Sequence, residues 1–147
     1  MKKDAIIQIK GTQTVGAESD VIEVYTQGTY YKKNGSFYIS YLETEETGYE
    51  GAKTTLKIDE NKKVTMLRSK PAQSQLIIEK GVRHLCSYNT GYDNMMIGIY
   101  GNEVESNLDN NGGIMKFKYT MDINCALASV NEVHIIVEEC KNNVQSC

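Results

Sequence analysis

The residues best placed to do chemistry are Tyr41, Glu43, Arg68 and Tyr88. Tyr41 and Glu43 lie in the alternating stretch Phe37-Tyr38-Ile39-Ser40-Tyr41-Leu42-Glu43, so a strand puts both on one face with Phe37 and Ile39. Arg68 occupies the same alternate positions as Val64 and Met66. Both charges therefore share a face with apolar side chains, where an unpaired charge costs roughly several kcal/mol. Two chemistries satisfy that constraint. In one, Arg68 takes a ligand carboxylate or phosphate on its planar fork, with Tyr41 and Tyr88 adding hydroxyls. In the other, Glu43 and Arg68 pair internally, or stand as two rim charges in water.

The remaining reactive residues are less suggestive. His84, Cys86 and Tyr88 share a strand face, but neighbours two apart are separated by about 6.6 Å, whereas a nucleophile and its base need about 3 Å. A hydrogen-bonded histidine beside a small buried thiol is the expectation. His134 stands alone, and two isolated histidines without cysteine or carboxylate at ligand spacing predict no metal site. Glu43, Glu45, Glu46 and Glu50 read as a solvated acidic loop, because every i, i+2 pair on a strand has the separation of a carboxylate pair. Lys32 and Lys33 beside Tyr30 and Tyr31 read as a solubilising hairpin tip rather than a single-strand platform. No phosphate-binding glycine loop or nucleophile elbow occurs, and neither a catalytic constellation nor a cofactor is predicted.

These residues must be positioned by strands. Ala5–Val15 and Val21–Lys33 alternate, with a turn over Gly16–Asp20 and a bulge or bend expected at Gly28. Asn34-Gly35 is a two-residue hairpin turn leading into the stretch that carries Tyr41 and Glu43. Lys53–Ile58 and Lys62–Ser69 flank Asp59-Glu60-Asn61, and Pro71 belongs to the connection before Ser74–Lys80. Arg83–Thr90 follows. Met95–Tyr100 and Glu103–Leu108 flank Gly101-Asn102, read as a second tight hairpin. Met115–Ile123 is the cleanest half-buried strand, Cys125–Ala128 suggests a helical turn, and Glu132–Glu139 closes the set. No segment sustains a 3.6-residue period. The chain is predicted to be all-β: an antiparallel, up-and-down closed barrel of about eight to ten strands, since closure removes the exposed edges of a long meander.

With 147 residues the chain reads as a single domain, with an ordered core of about 5–139 and a polar tail over 140–147. A formal charge of -3 disfavours general binding to nucleic acid or an anionic membrane. The apolar run after Lys2-Lys3 stops too soon for a signal peptide, and no stretch has the length of a membrane-spanning helix. Cys86, Cys125, Cys140 and Cys147 show no paired spacing and are expected to be reduced thiols of a cytoplasmic protein.

The order of motifs also resembles the YwiB-like family of uncharacterised bacterial proteins. The residues that carry the resemblance are Gly28, Tyr30, Tyr31, Tyr41, Glu43, Arg68, Tyr88, Thr90, Gly112 and Gly113, within a span of about 6–137. The resemblance implies a calycin-type, lipocalin-like β-barrel and no activity. The chain departs from the family pattern after Arg68, where Ser69-Lys70-Pro71 replaces an early glycine, and after Thr90, where Gly91-Tyr92-Asp93-Asn94 lacks a proline. Both departures fall in connections.

The leading functional expectation is a non-enzymatic barrel that binds one small apolar or amphipathic ligand, with an anionic group near Arg68, in its interior. The alternative is a barrel filled by its own side chains, acting as a structural or interaction module through tyrosines such as Tyr25, Tyr31, Tyr38, Tyr92 and Tyr100, or as a homodimer.

Overall fold

A computed structural model describes residues 2–45, 50–69, 73–89 and 94–140. Ten strands follow in order: β1 Lys3–Val15, β2 Glu18–Lys33, β3 Ser36–Leu42, β4 Lys53–Ile58, β5 Val64–Arg68, β6 Ser74–Ile78, β7 Arg83–Asn89, β8 Asn94–Asp109, β9 Gly112–Ile123 and β10 Ala126–Glu139. Each strand pairs antiparallel with its sequence neighbours, and β10 closes on β1 from Ala5↔Glu139 to Thr14↔Val130. The result is the closed antiparallel barrel expected from alternation and turns, with ten strands. Pro71 and the Thr90–Asp93 segment, like Glu46, Tyr92, Cys147 and the polar tail beyond Cys140, lie outside the described residues.

Alternation decides which side chains fill the interior. Along β1, β3 and β4, Ala5, Ile7, Ile39, Leu56 and Ile58 point inward and are buried. Tyr30 and Phe117 are the largest fully buried side chains. Each such apolar side chain contributes roughly 1.5–3 kcal/mol relative to exposure. The end of the barrel that carries the β2–β3 turn is closed by aromatic packing. Tyr30 stacks on Phe37 at 5.7 Å between ring centroids, Lys32 lies over Phe37, and the Tyr30 hydroxyl donates to the Asp109 carbonyl at 2.5 Å.

Four local features depart from the sequence reading. Gly28 makes no bulge: it pairs in register with Ala5 on one side and Tyr41 on the other. Glycine is needed there because a Cβ would fall 2.1 Å from the Ser40 carbonyl oxygen. Gly101-Asn102 is no hairpin, since β8 continues through it with a register shift between Gly101 and Glu103. The backbone of Glu79 lies where a Cβ of residue 101 would sit, so this glycine lets the β6–β7 turn pack onto β8. The expected turns at either end of the sheet are also tighter: β2 begins at Glu18, and Asn124-Cys125, both with positive φ, form a two-residue turn in place of a helical one. Finally, Cys86 and Cys125 are free thiols but Cys140 is disulfide-bonded, unlike the reduced set expected. Cysteine spacing alone carries no pairing information.

Candidate functional site

The closed barrel joins polar residues of five consecutive strands, β3 to β7, into one row. Directly paired positions run Tyr41↔Thr54, Thr54↔Arg68, Arg68↔Ser74, Ser74↔Tyr88 and Tyr88↔Met95, all on the inward face of β3 to β8. Glu43 continues the inward alternation of β3 just past Tyr41. Tyr41, Glu43, Arg68 and Tyr88 therefore gather at the end of the barrel opposite the Tyr30–Phe37 stack.

Glu43 is buried, with 5% exposure, and an Arg68 guanidinium nitrogen lies 3.6 Å from its Oε2. The Thr54 hydroxyl donates a hydrogen bond to the same oxygen. Of the readings open at the sequence level, the internal Glu43–Arg68 ion pair is the one formed, and it is not a pair of rim charges in water. Burial, followed by the nearby Glu43 charge, pushes the Tyr41 phenol well above its ordinary range, while Arg68 acts in the opposite direction. Tyr41 is thus a neutral hydroxyl in the site.

Arg68 and Ser74 also line a groove of about 580 Å³ in the barrel wall. Its other described lining residues include Lys53, Leu67, Ser69, Gln73 and Gln75, with no carboxylate among them. Arg68 thus takes part in a buried ion pair and also contributes to the lining of a groove rich in hydroxyls and amides. On the opposite wall, Asn131 and Ser129 are buried in β10 and linked to each other at 2.9 Å, and Gln13 of β1 donates to Asn131 at 3.2 Å. Nearby on the inward face of β1, a Cβ added to Gly11 would meet no atom within 4 Å. This end of the barrel is polar and open, in contrast to the packed aromatic end.

Thr54, Ser74, Ser129 and Asn131 were not singled out by sequence reasoning. Small hydroxyl and amide residues occur on any strand, and Asn131 fell between the expected helical turn at Cys125–Ala128 and the strand expected from Glu132. The signal that finds them is register, because each occupies an inward position in the same part of the barrel.

The other candidates separate. Glu45 and Glu50 are exposed and do not join Glu43. His84 Nε2 lies 2.9 Å from Glu79 Oε1, and Cys86 Sγ accepts the Ile77 N–H at 3.4 Å. Burial raises the Cys86 thiol, which keeps it protonated and poorly nucleophilic. His134 pairs with Glu132 on the outer wall at 3.4 Å. Among the described residues, no three His, Cys, Asp or Glu side chains converge as metal ligands. Tyr31 and Tyr38 stack at 4.8 Å, with Lys2 over one ring and Lys57 over the other, an arrangement that occupies ring faces a nucleobase would need. Outside β8, Arg83 and Asp122 form a two-pronged pair at 2.9 and 2.7 Å that crosses above Gly98 and joins β7 to β9.

Comparison with known proteins places this geometry in a family. The model described as "Domain of unknown function (DUF1934)" matches residues 7–135. The chain is 25% identical over 117 residues to the uncharacterized β-barrel protein YwiB of Bacillus subtilis (strain 168), covering 80% of each sequence. The crystal structure of the ywiB protein from Bacillus subtilis superposes with a TM-score of 0.82 at 21% identity, covering 95% of this chain and 94% of that one.

Proposed function

Since the chain belongs to the DUF1934 family, whose description names no activity, we propose from its own site that it is a non-enzymatic binding protein for a small amphipathic anion. The ligand sits at the polar end of the barrel, its carboxylate or phosphate on Arg68 and Lys53 and its body along the groove, against Leu67 and the surrounding hydroxyls and amides. The observation that carries this reading is the double placement of Arg68. Its guanidinium offers five donors in a planar fork, one nitrogen lies 3.6 Å from Glu43, and the same residue contributes to the lining of the groove. The Glu43 pairing holds the guanidinium ready without loss of side-chain freedom on binding. Hydroxyls and amides in the groove supply direction, and Tyr41 stays a neutral neighbour of the ion pair.

Native mass spectrometry of the protein purified from its own cells tests this. Bound mass is expected on the wild type and is reduced at least tenfold in Lys53→Gln, which leaves the buried pair intact, and in Glu43→Gln/Arg68→Gln, which avoids leaving a buried carboxylate unpaired. Equal retention in all three proteins, or no bound mass on the wild type, removes the proposal. Gly11→Leu locates the ligand independently. Retention places it in the wall groove, and loss places it inside the barrel beside β1.

A further inference from the structure

The β1–β2 hairpin outruns its neighbour. β2 pairs with the whole of β1, from Lys3↔Tyr30 to Val15↔Glu18, but its ladder with β3 stops at Gly28↔Tyr41. Among the described residues, Glu18 to Gln27 has no strand on its second side. Residues 18–23 are all exposed, and Val21 and Tyr25 remain 54% and 69% accessible. The turn over Gly16-Ala17 closes on Val15↔Glu18, so alternation along an antiparallel ladder turns Glu18, Asp20, Ile22 and Val24 toward β1. The N–H and C=O groups of Ser19, Val21, Glu23 and Tyr25 then face the open side. A row of four such residues is a template for one more strand.

The side chains of this edge select the occupant. Glu18, Asp20 and Glu23 put three carboxylates on the stretch, and the facing length of β1 from Gln8 to Val15 carries one cation, Lys10, opposite Glu23. The edge is acidic on balance. A second copy pairing edge to edge would bring six carboxylates together, whereas an alternating basic strand neutralises Glu18 and Asp20 on one face while its apolar residues meet Val21 and Tyr25 on the other. We infer that the Glu18–Gln27 edge of β2 is a docking site for an extended basic peptide of a partner protein, added as an eleventh strand and read by alternating cationic and apolar residues.

The probe is an end-blocked, dye-labelled ten-residue peptide alternating lysine and valine, with its glutamate–valine counterpart as control, measured by fluorescence anisotropy and amide exchange on the full chain. The lysine peptide binds, weakens as salt is raised, and slows exchange of the Ser19, Val21, Glu23 and Tyr25 amides at least tenfold at saturation, while the glutamate peptide does neither. Val21→Pro removes an outward N–H without a β1 ladder bond. It keeps the urea midpoint of the wild type and weakens peptide binding at least tenfold, as does Glu18→Gln/Asp20→Asn/Glu23→Gln. Equal binding of the two peptides, wild-type binding by Val21→Pro, or protection confined to another strand overturns the inference. So does a dimer of the free chain, seen by sedimentation at tens of micromolar and dispersed by Val21→Pro, which would give the edge to a second copy.

Discussion

Tyr41 and Tyr30 show how position, rather than residue type, sets chemical behaviour here. Tyr41 sits in the polar row beside Glu43, and Tyr30 in the aromatic plug at the other end with its hydroxyl on Asp109. In both, burial is the first cause that raises the phenol, and a neighbouring carboxylate is the second. The unfolded chain ionises such phenols near pH 10. Above that pH the unfolded state binds fewer protons than the folded one, so their contribution to stability is fully present below pH 10 and declines as pH rises beyond it. In an ultraviolet alkaline titration, two phenols are therefore expected to ionise only together with loss of the β-sheet circular dichroism signal. Tyr30→Phe and Tyr41→Phe should each remove one of them, and smooth ionisation of all ten tyrosines before unfolding would contradict this. The same logic explains why Glu43 and Arg68 were the informative residues in the sequence. Charges on an apolar face need partners, and the partner of each proved to be the other.

At the scale of elements, the barrel wall is uneven. Most neighbouring strands pair over five or more positions, but β6 and β7 pair only at Ser74↔Tyr88 and Gln75↔Ser87, with an isolated bridge at Glu79↔Val82. Three residues on β6 face four on β7 between these points, so the ladder opens, and the Cys86 thiol takes the Ile77 N–H that a backbone carbonyl would otherwise accept. This gives the buried cysteine a structural role in place of a nucleophilic one. Native-state amide exchange should show the β6–β7 seam opening before the β1–β10 and β8–β9 ladders. Cys86→Ala should speed exchange of the Ile77 amide roughly two- to tenfold, the equivalent of one net hydrogen bond. An Ile77 amide as slow in the variant as in the wild type would mean that the thiol does not hold the seam. The groove proposed for the ligand borders this seam through Ser74 and Ser87, so ligand binding and seam opening share a wall.

For the whole molecule, closure joins residues far apart in the chain: the Cys140 N–H donates to the Asp4 carbonyl at 2.9 Å, and Lys3 pairs with Glu139 at 3.2 Å. A circular permutant with its ends joined by a short glycine–serine linker and reopened between Gly16 and Ala17 should keep cooperative unfolding within about 2 kcal/mol of the parent, because no ladder is interrupted. Truncation before β10 should instead yield aggregate, since it bares the edges of β1 and β9. A permutant that fails to fold while the truncation folds would contradict closure as the organising constraint. The sequence by itself determined that the chain is all-β, which residues alternate inward, and that Glu43 and Arg68 face apolar neighbours, because these follow from a two-residue period and turn chemistry local to each strand. Register between distant strands was beyond it. Only the closed sheet decided that Thr54 and Ser74 complete the row around Arg68, that Asn131 faces the same end, that Gly28 and Gly101 serve close approach rather than a bulge and a hairpin, and that β2 outruns β3. Each of these depends on which backbone lies opposite which, a quantity set by the stagger needed to close ten strands and absent from any single stretch of chain.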